Sequence, residues 1–336
     1  MATISDVAKL SGLSVSTVSR VINNKPHVSE AKRQRVQEAM DALGYSPLQA
    51  ARQMRGSGSG NVAVVVPTIT NNFFAHLVDS IERTCSKYAY RTLIIQTYGE
   101  RAGEEEALNL LRMQHADGAI LCAIENQWEL IRKFTQYGRL VACNEYNEDH
   151  EISMICGRQY EGFQKATEYL LGKGHQRIAY CTGAKALVLQ PKGLNIDSDR
   201  YRGFIETLSK AGKSADPDQM FTRIHTMEDG KRVMKKILNL SLQERPDAVI
   251  AGSDEVAAGM VIEGLANGIR IPEDIAILGV DDQPLASCIQ IPLTTIRQPI
   301  REIAEESVHH LFDLLDGKSS HQHKIFPGEL LEQEST

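Results

Sequence analysis

From residue 61 onward the chain keeps returning to one pattern: a short continuous apolar run, a turn, then an amphipathic stretch. Apolar runs stand at 61–67, 91–96, 117–123, 140–144, around 155, and at 177–181, 220–225, 248–252 and 275–280. Helical spacing falls between them, at 72–88, 104–114, across Trp128 and Ile131, and at 160–172, 200–211, 230–238 and 255–266. A strand that is apolar without alternation is covered on both faces, and intervening helices supply the cover. The pattern dictates an α/β fold. Two successive series predict two doubly wound lobes, with a ligand cleft outside the carboxyl ends of their strands.

Upstream, Gly56-Ser-Gly-Ser-Gly60 is a flexible linker, and before it the pattern is wholly helical. Thr3 is placed to cap a helix whose apolar face is Ile4, Val7, Ala8 and Leu10; Gly12 breaks it and Leu13 plugs the gap. Ser14 caps a second helix, 15–23, with Val18, Val21 and Ile22 inward and Val15, Ser16, Thr17, Ser19 and Arg20 outward. Small side chains, hydroxyls and one arginine suit a helix that enters a DNA major groove. A third helix, capped by Ser29 and stopped by Gly44, carries the stripe Val36, Met40, Leu43. After Pro47 a short fourth helix ends at Gly56; it has too little to bury to stand alone and is expected to form against DNA and a twofold mate.

The charge follows this division. Residues 1–56 hold eight Lys and Arg against four acids, a balance of +4, and the remainder carries −10 within the net −6. A basic amino-terminal module meets phosphates, and an acidic body is repelled by them. No apolar run approaches the ~20 residues of a membrane span, and the start has no basic and apolar leader. No membrane role and a cytoplasmic location are expected. Cys85, Cys122, Cys143, Cys156, Cys181 and Cys288 have no paired spacing and read as buried thiols. No GxGxxG after a strand, GxxxxGK[ST], GxSxG or Cys/His metal spacing is present. No cofactor, metal or catalytic residue is expected. The competing readings are an α/β sugar-processing enzyme and a solute-binding protein, each fused to a helix-turn-helix.

DVAKLSGLSVSTVSRVINN, VSEAKRQRVQEAMDALGYSP and AARQMRG resemble the DNA-binding headpiece and hinge helix of the lac/galactose repressor family. TEYLLGKGHQRIAYCTG, DRYRGF, AGSDEVAAG, IRIPEDIAILGVDD and PLTTIRQP resemble its recurring body segments, so the likeness covers essentially the whole chain. It implies a helix-turn-helix headpiece at 1–46, a hinge helix and linker at 47–60, and an effector-binding and dimerisation body at 61–336. That body has the fold of periplasmic sugar-binding proteins. The chain is expected to cross between lobes near 155–160, 288–295 and 325–328. That makes lobe 1 about 61–157 with 292–323, and lobe 2 about 158–291 with 324–336. A helix around 299–315 packs back on lobe 1. The implied function is a repressor of carbohydrate-utilisation genes, binding an imperfectly palindromic double-stranded operator as a homodimer and switched by a small sugar-type effector. GELLEQEST shows no leucine heptads of the kind that form a tetramer in some members.

The resemblance also assigns residues. Val15, Ser16 and Arg20 would read base edges, and Thr17, Ser19, Asn23 and His27 would hold phosphates. Met54 stands where the family's leucine wedge kinks the operator, beside Arg55, or is a plain hinge-helix contact. Leu48 replaces a frequent asparagine. In the cleft, Asn71 and Phe74 follow the first strand, and Arg200 matches the effector-binding arginine of R-x-x-G-F or is a surface arginine paired with Asp199; Asp254 and Asp281 end later strands, placed to accept sugar hydroxyls, and Gln298 lies on the last crossover, placed to bridge ligand and lobe. Phe73 reads as core and Asp282 as a loop brace; His225 is a stacker or a strand-end histidine, and Trp128 a cleft wall or an exposed helix start. Arg158-Gln159 replaces the usual Asp-Asn. Arg158 with Arg200 would suit an anionic effector, a sugar phosphate or sugar acid, unless Arg158 pairs with Glu161.

Overall fold

Thr3 has extended backbone, accepts a hydrogen bond from Asp6 N and donates its own N–H back to the Asp6 carboxylate. This closed capping box starts α1 (Ile4–Ser11). The structure is a computed structural model and describes residues 2–22, 25–45, 58–147 and 151–336. Gly12 ends α1 at φ 63, a left-handed backbone that glycine enters without strain. Helices α2 (Val15–Ile22) and α3 (Glu30–Leu43) follow. Val7, Ala8, Val18, Val36 and Ala39 form their shared core, with Leu13 packed against it as the sequence predicts. Ser29 occupies the N-cap of α3, but its side chain makes no capping bond.

The chain divides into two compact units, Met1–Gly60 and Asn61–Thr336. The second contains, in chain order, β1 (Asn61–Val66), α4 (Asn72–Lys87), β2 (Arg91–Gln96), α5 (Arg101–Arg112), β3 (Gly118–Leu121), α6 (Trp128–Arg132), β4 (Arg139–Cys143), β5 (Ser153–Gly157) and α7 (Gln159–Gly172). Then come β6 (Ile178–Cys181), α8 (Ile196–Lys210), β7 (Met220–Phe221), α9 (Met227–Leu238), β8 (Ala248–Ile250), α10 (Asp254–Ala266) and β9 (Ala276–Asp281). The series ends with α11 (Pro284–Cys288), β10 (Thr294–Arg297), α12 (Ile300–Leu315), β11 (His323–Phe326) and β12 (Glu329–Leu331).

These strands build two six-stranded sheets, ordered β11-β5-β4-β3-β1-β2 and β12-β10-β9-β8-β6-β7. All neighbours are parallel except β10 and β12. The apolar run of β1 is buried at every position. Alternate residues feed two cores, Val62, Val64 and Val66 on one face and Ala63 and Val65 on the other. That explains why it lacks alternation. In the second lobe α9 and α10 approach so closely that a Cβ at Gly230 would lie 2.1 Å from Val256 O and one at Gly259 2.0 Å from Met227 O. Only glycine permits that contact. Helix α8 begins at Ile196, four residues before the sequence pattern suggests, because Asn195 accepts a capping bond from Ser198 N.

The lobe boundaries need a correction. Residues 292–297 were assigned to lobe 1, but β10 pairs with β9 and β12 in the second sheet, with Thr294 and Thr295 fully buried. The strand runs unbroken until Gln298, and Pro299 is the N-cap of α12, so the crossing lies there. The return crossing follows β11, which pairs with β5 in the first sheet, so lobe 1 runs through Phe326 instead of stopping at 323. The first crossing, at Arg158 between β5 and α7, falls in the expected interval. Five cysteines are buried and Cys288 is exposed, against the expectation of a buried thiol; all six are free.

Candidate functional site

The outward face of α2 is built by its own periodicity. Val18 takes the core, so Val15, Ser16 and Arg20 are exposed, while Thr17 and Ser19 are half-buried. Ser14 Oγ accepts from Thr17 N and contacts the Ser16 and Thr17 hydroxyls at 2.9 Å, ordering the first turn. His27 is exposed with left-handed backbone, φ 65. Arg33 donates to Lys25 O at 2.8 Å, tying that loop to α3. Asn23, Met54, Arg55, Leu48 and the expected hinge helix lie outside the described residues.

In the second unit a cavity of about 1060 Å3 opens between the carboxyl ends of both sets of strands. The first sheet supplies the segments after β1 (Pro67 to Phe74), β2 (Tyr98 to Glu100), β3 (Cys122 to Glu125) and β4 (Asn144, Glu145). The second supplies the segments after β6, β7 and β8, the start of α8 and Asp281 at the end of β9. This is the switch-point location at which open α/β sheets hold ligands. Both lobes touch whatever enters.

Asn71, Phe74, Arg200 and Asp281 line this cavity as expected. Asn71 is also the N-cap of α4, its Oδ1 accepting from Phe73 N and Phe74 N, so its amide NH2 is the end that faces a ligand. Phe73 is buried and meets Phe74 edge-on at 5.3 Å. His225 lies on the wall against Gly183, where a Cβ would come within 2.7 Å of its ring. Trp128 is half-buried against the core behind β3 and is not part of the wall.

Three assignments are corrected. Asp254 is fully buried and points away from the cavity; its Oδ1 accepts from Thr295 Oγ1 at 2.6 Å and its Oδ2 from Gln283 N at 2.8 Å. The carboxylate fits because Gly279 has no Cβ, which would lie 2.1 Å from Oδ1. Burial first, then the Asp281 charge, push Asp254 up to about 8 against the two donors. Gln298 is buried at the second crossing and makes a reciprocal amide pair with Gln159, each Nε2 donating to the other's Oε1 at 3.2 and 3.1 Å. Arg158 is half-exposed, 4.0 Å from Glu161 Oε1, and borders a shallow depression with Lys165 and Gly328, outside the cavity. One turn of helix brings Glu161 back under it, so the pairing with Glu161 is the arrangement seen. Asp282 braces its loop through Arg297, 2.7 Å away.

Sequence reasoning gave Gln159 no role beyond its replacing a usual asparagine, and passed over Glu145. Gln159 Oε1 accepts from Arg200 Nε at 2.7 Å and so aims the guanidinium, which also lies 5.4 Å from the Phe163 ring centre. Glu145 follows the end of β4, where Asn144 has left-handed backbone, φ 61, and fixes the turn by accepting Gly157 N at 3.1 Å. The same strand-end position that singled out Asp281 was the available signal. Burial, with the Asp197 charge second, pushes Glu145 up to about 8, and Arg200 opposes the shift. Burial pushes Asp281 up to about 6, again against Arg200. Among the described residues no group of His, Cys, Asp and Glu is placed to hold a metal ion, and no helix is long and apolar enough to cross a membrane.

Residues 3–47 match the model of bacterial regulatory proteins of the lacI family, and residues 167–336 match the periplasmic binding protein-like domain. The NTD biosynthesis operon regulator NtdR of Bacillus subtilis is 32% identical over 338 residues, covering 100% of both chains. A LacI family transcriptional regulator from Lactobacillus casei, solved with bound glucose and also with bound Tris, is 32% identical, with TM-score 0.74 over 82% of this chain and 99% of that one. The lac repressor dimer bound to operator and the anti-inducer ONPF is 25% identical, with TM-score 0.84 over 100% of this chain and 99% of that one.

Proposed function

The chain belongs to the lacI family of bacterial regulatory proteins, and we propose that it represses carbohydrate-related genes by holding an operator that a small sugar-type effector controls. It is a DNA-binding transcriptional regulator, and its relatives are regulators, not enzymes. One observation carries the effector half of the proposal: the cavity is lined by strand ends from both sheets, so a ligand in it touches both lobes. A ligand that fits one interlobe angle better shifts the population toward it by its differential affinity. Polar strand ends with Phe74 on the wall suit hydroxyls and a sugar face. The glucose held by the Lactobacillus casei relative, and its Tris, supports the class.

In this reading residues 1–46 read DNA, 47–60 connect, and 61–336 sense and pair. Val15, Ser16 and Arg20 read bases; Thr17, Ser19, Asn23 and His27 hold phosphates; Met54 and Arg55 act in the minor groove. Asn71, Phe74, Arg200 and Asp281, joined by Glu145, contact the effector, while Arg158, Asp254 and Gln298 do not. Two copies pair through the body on an imperfect palindrome, which sedimentation of the full chain tests.

The experiment is operator affinity with and without effector. The duplex is selected from a random pool, and the effector from a thermal-shift screen of sugars. Arg200→Ala is expected to leave DNA affinity intact and abolish the response. Arg20→Ala is expected to cost roughly 1–3 kcal/mol on the selected duplex and far less on random DNA. A full response from Arg200→Ala defeats the cleft assignment; equal loss on both duplexes makes Arg20 a phosphate contact only.

A further inference from the structure

Among the described residues six carboxylates line the cavity, those of Glu100, Glu125, Glu145, Asp197, Glu255 and Asp281, against two fixed cations, Lys185 and Arg200. Three of the six are engaged: Glu125 pairs with Lys185 at 3.5 Å, Glu255 Oε1 accepts from Met227 N, and Asp281 accepts one long bond. Arg200 spends its Nε on Gln159 and forms no ion pair with a carboxylate of the described residues. Glu145 and Asp197 make no side-chain hydrogen bond or ion pair among the described residues. Asp281 is 7% exposed, and its side chain receives only the 3.5 Å contact from Gln283 Nε2 at Oδ2, leaving Oδ1 to the cavity.

Asp281 is buried and Glu145 and Asp197 are half-buried; a carboxylate that gives up part of its water without gaining donors is destabilised to that extent. A phosphate or carboxylate ligand would add another negative charge to this set. A neutral sugar would supply hydroxyl donors and leave the repulsion in place. A protonated amine supplies up to three donors and one positive charge. Resting on the reading of this cavity as the effector site, we infer that the effector is an aminated sugar or polyol, its ammonium group seated beside Glu145 and Asp197 and its hydroxyls on Arg200, Asp281 and Asn71.

The acids' own titration adds a signature. Glu145 is faced by Asp197, Glu125 and Glu104, with Arg200 the opposing cation. Asp281 is faced by Arg200 and shares its burial with Asp254. Glu145, held up at about 8, carries a proton through much of the neutral range. An arriving ammonium favours the ionised carboxylate, so binding near pH 7 releases a proton. A neutral sugar gives no such release.

The test uses the full chain in Hepes, with glucosamine, glucose and glucose 6-phosphate as one probe set and Tris with its neutral counterpart pentaerythritol as the other. Calorimetry and thermal shift are expected to favour the aminated member of each set by about tenfold or more in Kd, the scale of one added charge-assisted hydrogen bond. Repeating the glucosamine titration in phosphate buffer reports the released proton. Glu145→Gln and Asp197→Asn are expected to remove the preference, while a Lys165→Gln control outside the cavity keeps it. An equal response, or none, to the aminated and neutral members, or a preference for the phosphate ester, overturns the inference. Glucose binding that Arg200→Ala abolishes, with no amine preference, would leave the cavity as the effector site and refute the amine alone. An amine preference indifferent to Glu145, Asp197 and Arg200 would refute both.

Discussion

Two polar clusters lie within the same body and differ in whether their partners come from the chain. At the joint between the lobes, Gln159 and Gln298 satisfy each other across two crossings, and Asp254 spends both oxygens on Thr295 and Gln283. On the cavity wall, Glu145, Asp197 and Asp281 face space with few or no donors. Burial is deep at the joint, whereas on the wall only Asp281 is buried and Glu145 and Asp197 are half-buried. The sharper difference is in the donors each cluster receives from the chain. Arg200 belongs to both clusters, its Nε held by the joint while the residue lines the cavity. A ligand bound to it would therefore bear on the crossings.

The largest test of this contrast is Asp254→Asn, which keeps both contacts because the Thr295 hydroxyl can turn to accept. Asp254 is held up at about 8, against an ordinary carboxylate near ~3.9. Below both values folded and unfolded chains bind the proton equally. As pH rises between them the unfolded chain loses it first, so this group's stabilising contribution falls and is gone above the folded value. Wild type is expected to lose stability relative to the variant by up to about 1.4 kcal/mol per pH unit between those limits. Urea melts across pH 5–8 measure it, and parallel curves would break the contrast.

Next is Gln298→Leu, which strips one half of the reciprocal amide pair and is expected to cost about 1–3 kcal/mol in the same melts. A cost no greater than that of a surface glutamine would mean the pair is incidental. The smallest effect is on the wall. Glu145→Gln is expected to stabilise the ligand-free protein by several tenths of a kcal/mol above pH 8, where the wild-type carboxylate is ionised beside Asp197. A loss of stability there would place Glu145 with the joint.

How much of this the chain discloses depends on how local the cause is. The exposed positions on α2 follow from a 3.6-residue period around Val18, and the parallel sheets follow from strands such as β1 that are buried throughout. The rule that strand ends carry the site picked Asp281, which lines the cavity. It also selected Asp254, wrongly, because the turn of that carboxylate inward depends on the missing Cβ of Gly279 on a neighbouring strand. It overlooked Glu145, since the left-handed Asn144 that aims it was not visible as a turn. Gln159 and Gln298 are 139 residues apart, and no periodicity links them. Arg158 was drawn toward the cleft by an analogy of position, and one turn of helix decided otherwise.

The late strands carry one further consequence. The first sheet takes an edge strand from His323–Phe326 and the second from Glu329–Leu331, while α12, just before them, covers the first sheet with Ile303, Val308 and Leu311. During synthesis the amino-terminal helices can fold as soon as they emerge, but the first lobe cannot be completed before the ribosome has passed residue 326, nor the second before residue 331. The DNA reader would thus exist in the cell for a time ahead of the sensor that governs it. A stalled or prematurely stopped chain would carry the first without the second.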